Sequence, residues 1–75
     1  MEIHRLVKMA NEIGGFFESA EDRNEAIASI AAHLRNFWDP RMRAQLIEHA
    51  RRDDSDLKVL VRLAVLSLEN AGHSS

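Results

Sequence analysis

The sequence predicts an all-α fold, a small bundle of three to four helices. Apolar residues recur every three to four positions along most of the chain, which is the spacing that places them on one face of a helix. Side chains that accept hydrogen bonds precede several of these segments, as is typical of helix starts. The chain has 75 residues, which is the size of one domain. The predicted helices cover about residues 2–18, 23–37, 40–52 and 56–70.

The first predicted helix carries a wide apolar face and a pair of glycines. Met9, Ile13 and Phe16 broaden the main apolar stripe of residues 2–18. The pair Gly14-Gly15 disfavours a helix interior by about 1 kcal/mol per glycine relative to alanine. Two interpretations stay open: the helix ends early, or a second helix approaches closely at this point.

The second and third predicted helices have recognisable starts. Asp22 followed by Glu25 has the spacing of a capping box. Asp39-Pro40 combines an N-cap acceptor with a proline at the first helical position, where the missing N–H has no cost. These signals place helix starts near residues 23 and 40.

The fourth predicted helix is apolar over most of its circumference. Acidic residues within 53–56 offer N-cap acceptors before it. An ordinary surface helix has an apolar stripe of about 100°, so this helix needs cover on nearly every side. A second copy of the chain would supply that cover, so a homodimer is one expectation for the isolated chain. Residues 71–75 are predicted to form a loose tail of the single domain 1–75.

The segment 37–43 is the best candidate for a contact outside the chain. Arg41 and Arg43 fall in the first turn of helix three, where a cation is unfavourable by about 0.3–1 kcal/mol. Local rules are usually broken at functional positions, and tryptophan with arginine is typical of interface hot spots. For one of the two adjacent aromatic residues, Phe37 or Trp38, the alternative to an outside contact is burial in the core. The predicted partner-binding residues are Arg35, Phe37, Trp38, Arg41, Met42 and Arg43.

Catalytic and metal-binding functions have little support in the sequence. The chain contains no cysteine, and its histidines are scattered singly without a ligand-like spacing. The serines do not follow a glycine-rich elbow or a phosphate-binding loop. We therefore expect no catalytic residue, no metal site and no cofactor bound by this chain.

Nucleic-acid and membrane partners are also not expected. The net charge of −2 is unusual for a dedicated nucleic-acid binder, and no stretch approaches the roughly 20 apolar residues that span a bilayer. The N-terminal residues lack the apolar region of a signal peptide, so we expect a cytoplasmic protein. The alternative hypothesis is a self-associating helical regulatory protein, one that could contact DNA through helix three.

Two blocks of the sequence resemble a known family. The first block is Met9-Ala10-Asn11-Glu12-Ile13-Gly14-Gly15-Phe16-Phe17, and the second is Ile30-Ala31-Ala32-His33-Leu34-Arg35-Asn36-Phe37-Trp38-Asp39-Pro40-Arg41-Met42-Arg43. Together they resemble the small delta subunit of NAD-dependent, molybdenum-containing formate dehydrogenase. The second block is the more specific one. The resemblance covers most of the chain.

The resemblance implies an accessory subunit of a cytoplasmic complex that oxidises formate and reduces NAD. It implies that the larger formate dehydrogenase subunits are the partners. The molybdenum cofactor, the iron–sulfur clusters, FMN and NAD would then belong to those subunits. The lack of cysteine agrees, because this chain has no thiolate to hold a cluster. The implied function is assembly or stabilisation of the complex.

Overall fold

The computed structural model describes residues 2–52 and 54–73 of the chain, with side chains as far as Glu69. In this part of the chain the backbone forms helices and no strand, which confirms the predicted all-α bundle. The elements are α1 (Ile3–Phe17), α2 (Arg23–Phe37), α3 (Pro40–Ala50) and α4 (Val59–His73).

The starts of α2 and α3 form as the sequence predicts. The Asp22 carboxylate accepts a hydrogen bond from the backbone N–H of Asn24 at 2.8 Å. The Asp39 carboxylate accepts from the backbone N–H of Arg41 at 2.7 Å, and Pro40 opens the helix. Each carboxylate satisfies one of the N–H groups that lack a partner at a helix start.

The boundaries between α3 and α4 differ from the prediction. Helix α3 ends at Ala50 rather than residue 52, and α4 begins at Val59 rather than residue 56. Asp56 has a φ of 60°, in the left-handed region, so a helix cannot run through it. Helix α4 continues to His73, beyond the predicted end at residue 70 and into the segment that the sequence predicts to be a loose tail. Residues 74 and 75 of that predicted tail lie outside the described part of the chain.

Side chains from three helices hold the connection between α3 and α4. The Asn11 side chain of α1 donates from Nδ2 to the Asp56 carbonyl at 3.0 Å and accepts at Oδ1 from the Lys58 N–H at 2.9 Å. His49 of α3 donates from Nε2 to the Ser55 carbonyl at 2.9 Å. Arg62 of α4 donates from Nε to the Ala50 carbonyl at 2.8 Å, where α3 ends. These bonds satisfy backbone groups that helices would otherwise have paired.

The core lies where all four helices meet, and α4 contacts each of the others. Its largest fully buried side chains are Leu6, Ile30, Leu34, Leu46, Val61 and Val65. Helix α4 buries its central face in this core but leaves Val59 and Leu63 exposed. The chain therefore covers only part of the wide apolar surface that the sequence places on α4.

Gly14 marks a close approach between α1 and α4. Helix α1 continues past it to Phe17, so the interpretation as an early helix end is wrong. A Cβ atom at Gly14 would overlap the Cγ2 of Val61, whereas the same atom at Gly15 would meet only the flexible end of Lys58. The first glycine is thus required for packing, and the second is not.

Candidate docking surface

The consecutive aromatic residues at the end of α2 point in different directions. The Trp38 side chain is buried in the core, and the Trp38 backbone N–H donates a hydrogen bond to the Leu34 carbonyl at the end of α2. Phe37 is 75% exposed. The alternative of core packing therefore applies to Trp38. Trp38 is thus covered by this chain, whereas Phe37 presents its apolar ring to solvent.

The predicted arginines are not equivalent. Arg43 donates from Nη1 to the Arg35 carbonyl at 3.0 Å, and so helps to satisfy the last turn of α2. Arg41 is exposed in the first turn of α3, and its guanidinium forms no hydrogen bond or ion pair with the described residues. The Arg35 side chain is also exposed, while Met42 packs against the core. Arg41 and Arg35 are thus the predicted cations that remain free for another molecule.

An apolar groove lies beside Phe37, between α1 and the end of α2. Its volume is about 460 Å³, and it is lined by Met9, Glu12, Ile13, Phe16, Phe17, His33 and Trp38. Phe16 stands at this groove with 84% of its surface exposed. The His33 ring packs at a tilt against the Phe37 ring, with 4.8 Å between the centroids. This contact joins Phe37 to the groove.

We call Phe16, His33, Phe37 and the groove between them the aromatic surface, and Arg35 with Arg41 the free arginines. Exposed aromatic rings grouped on a small protein are typical of a binding site for another protein. The sequence pattern predicts Phe37 as a site residue but does not place Phe16 or His33 in the site. The broad apolar face of α1 was the available signal, since Phe16 lies at its edge.

Glu12 is the charged residue among those that line the groove. At Asp54, after the end of α3, a hydrogen bond from Arg52 and the charge of its guanidinium lower the carboxyl pKa. Within residues 2–52 and 54–69, histidine, aspartate and glutamate do not gather into a group of three that could hold a metal ion.

None of the helices described is both long enough and apolar enough to cross a bilayer. The fold and the surface together define a class: a small all-α protein with an exposed aromatic surface and free arginines, suited to docking on another protein. Residues 5–65 match the family described as the NADH-dependent formate dehydrogenase delta subunit FdsD. The match covers most of the chain, so the chain belongs to this family of formate dehydrogenase subunits, and the resemblance seen in the sequence is confirmed.

Comparison with curated proteins and with solved structures gave no match. The matched span of the family contains the whole aromatic surface and both free arginines. The aromatic surface and the free arginines are therefore part of the segment that identifies the family.

Proposed function

We propose that this chain is a non-catalytic accessory subunit that helps to assemble or stabilise a cytoplasmic NAD-dependent formate dehydrogenase complex. The family supports a place in such a complex. The exposure of both Phe37, at the end of α2, and Arg41, in the first turn of α3, is the single observation that carries the docking function. Phe37 lies outside the core, and the Arg41 guanidinium forms no hydrogen bond or ion pair with the described residues.

The energetics favour a contact that covers Phe37. Burying a phenylalanine side chain stabilises a complex by about 1.5–3 kcal/mol relative to leaving it exposed. Arg41 stands at the positive end of α3, where an acidic group of a partner would relieve the unfavourable charge. A larger subunit with an apolar depression beside acidic residues fits both features, and electrostatic complementarity would fix the orientation.

We also propose that the redox groups of the complex belong to the larger subunits. The molybdenum cofactor, iron–sulfur clusters, FMN and NAD need thiolate ligands or dedicated nucleotide-binding folds. This chain has no cysteine, and its described part is a bundle of short helices. Its contribution would therefore come from contacts and not from chemistry.

Co-purification tests the proposal. A tagged chain carrying Phe37→Ala with Arg41→Ala should lose the larger formate dehydrogenase subunits, whereas the unaltered chain retains them. The matched control is Val59→Ala with Arg23→Ala, which removes another exposed apolar residue and another exposed arginine. Retention of the larger subunits by the Phe37/Arg41 variant would contradict the proposed docking function.

Assembly and stabilisation can be separated in cells that lack this chain. If the chain acts in assembly, the larger subunits should accumulate without their full cofactor content. If it stabilises the finished complex, the cofactor content should be normal and the purified complex should dissociate faster on dilution. An enzyme of normal composition and normal dissociation rate would contradict both forms of the proposal.

Self-association in isolation is a separate proposal. Val59 and Leu63 leave apolar area on α4 that a second copy would cover. Sedimentation of the purified chain should show a dimer that dissociates in the Leu63→Glu variant. A monomer at all concentrations would remove this proposal without affecting the docking function.

A further inference from the structure

We propose that the groove between α1 and the end of α2 receives an apolar side chain from an amphipathic helix of a larger formate dehydrogenase subunit. A lysine or arginine of the same helix would lie beside Glu12. This inference rests on the proposed function and names the chemistry of the segment that the docking surface recognises.

The shape of the groove fits a helical ligand. One wall is formed by α1 residues Met9, Ile13, Phe16 and Phe17, which follow one another at helical spacing. At a rise of about 1.5 Å per residue, this wall is about 12 Å long, or two helical turns. A helix that binds in a groove presents its anchors over such a distance, at positions i, i+3 or i+4, and i+7. The exposed rings of Phe16 and Phe37 stand at the groove as apolar contacts for the flanks of that helix.

The charge of the groove specifies the partner further. Glu12 is exposed, and its carboxylate forms no hydrogen bond or ion pair with the described residues. Glu18, near the end of the same helix, is instead paired with Lys58 at 3.3 Å. A cation at the edge of the bound helix would pair with Glu12 and fix its register, because interface charges act mainly on orientation and specificity.

A second copy of this chain fits the groove less well than a basic helix does. A two-fold contact would bring together two identical surfaces. Each groove would contribute a Glu12 carboxylate, and neither lining contains a lysine or arginine to neutralise it. The charge of the groove thus points to a basic segment, and membership of the formate dehydrogenase delta subunit family makes a larger subunit the source of that segment.

The lack of cysteine makes a direct test simple. A Phe16→Cys variant has a single thiol, to which a photo-crosslinker can be attached, and Phe16 is exposed enough that the fold should not change. In the assembled complex, light should link this position to a helix of a larger subunit that carries apolar residues with a lysine or arginine within one turn. Ala28→Cys, at an exposed position of α2, is the control and should give no such product.

A charge variant tests the recognition of the cation. Glu12→Lys should weaken retention of the chain in the complex by about tenfold. Glu12→Gln should weaken retention by a smaller factor, because it removes the negative charge without adding a positive one. Glu21→Lys makes the same charge change at an exposed position between α1 and α2 and should have little effect. Equal retention of the Glu12→Lys and Glu21→Lys variants would overturn the cation contact.

The crosslinking outcomes separate this inference from the proposed function. If Phe16→Cys links only to a second copy of the chain, the inferred occupant is wrong. If Phe16→Cys is silent while Phe37→Cys links to a larger subunit, the groove inference fails and the docking function stands. If both positions are silent in the assembled complex, both proposals fail.

Discussion

Gly14 of α1 and Val61 of α4 are in such close contact that no side chain fits between them. A Cβ atom at Gly14 would overlap the Val61 Cγ2, and Val61 is fully buried and cannot move aside into solvent. The contact holds α4 against α1, the helix that also supplies Met9, Ile13 and Phe16 to the groove.

The two adjacent glycines should respond in opposite ways to substitution by alanine. Alanine favours a helix over glycine by about 1 kcal/mol, and this gain should be seen at the exposed Gly15. At Gly14 the added methyl group overpacks the core, which costs about 1–3 kcal/mol and exceeds the gain. Urea denaturation should show a stabilised Gly15→Ala variant and a destabilised Gly14→Ala variant.

A compensating substitution supplies the control for that pair. Val61→Ala removes the overlapping methyl groups, so the Gly14→Ala/Val61→Ala double variant should be more stable than the sum of its single changes predicts. If Gly14→Ala and Gly15→Ala raise the free energy of unfolding equally, the close contact between α1 and α4 is wrong.

Asn11 should be the most sensitive polar residue of α1. Its side chain bonds the backbone on both sides of Leu57, at Asp56 and Lys58. Asn11→Ala leaves two backbone groups to solvent, and we expect a loss of about 1–2 kcal/mol in the free energy of unfolding. Hydrogen exchange should also accelerate at the Lys58 amide, since its acceptor is gone.

Asn24 provides the matched control for Asn11, because its side chain is exposed and makes no hydrogen bond with the described residues. Asn24→Ala should change stability by no more than about 0.5 kcal/mol. Unchanged exchange at Lys58 in the Asn11→Ala variant would show that the side chain does not hold the α3–α4 connection.

The carboxyl group of Asp54 should titrate below its usual pKa. The hydrogen bond from Arg52 is the main cause, followed by the charge of the guanidinium. A pKa that is lower in the folded chain stabilises the fold above the unfolded pKa, and this stabilisation disappears as the pH falls through the folded value. Carbon-detected NMR should show the pKa of Asp54 rising in Arg52→Gln and at high salt.

The group is fully exposed, so the consequence for stability should be small. An unchanged pKa of Asp54 in Arg52→Gln would contradict the ion pair. Arg52→Lys keeps the charge but lacks the guanidinium geometry, and should give an intermediate pKa.

Two of the three arginines of the predicted site, Arg41 and Arg43, should have different effects on stability when replaced by alanine. Arg43→Ala removes the bond to the Arg35 carbonyl and should lower the free energy of unfolding by about 0.5–1.5 kcal/mol. Arg41→Ala removes an unfavourable charge at a helix start and should leave stability equal or slightly higher. Thermal unfolding of both variants tests this, and equal destabilisation would show that Arg41 also serves the fold.

Much of the fold follows from local sequence signals. Asp22, Asp39 and Pro40 act through their immediate neighbours, so the starts of α2 and α3 are predictable from capping rules. The start of α4 is not, because Asn11 and Arg62 hold the preceding connection from distant positions in the sequence. Asp54 and Asp56, which the sequence offered as N-caps, instead precede the start of α4 in the connection from α3, and Asp56 has a left-handed backbone conformation.

The candidate site was predictable only in part for a similar reason. Arg41 stands out in the sequence because it violates the helix-dipole rule, and the structure leaves it exposed. Whether Phe37 or Trp38 enters the core depends on the turn after α2 and on the helices that pack there. The apolar face of α1 indicates Phe16, but only the packing of α1 beside the end of α2 brings Phe16 to the same groove as His33.

The most direct test of the docking function is an Arg41→Glu variant, measured for both folding and retention in the formate dehydrogenase complex. Glutamate suits the start of α3, so the free energy of unfolding should rise by about 0.3–1 kcal/mol. The same change should repel the acidic partner group and release the chain from the complex. A chain that gains stability and loses its partner is the predicted result; a chain retained as firmly as the unaltered one would contradict the central claim.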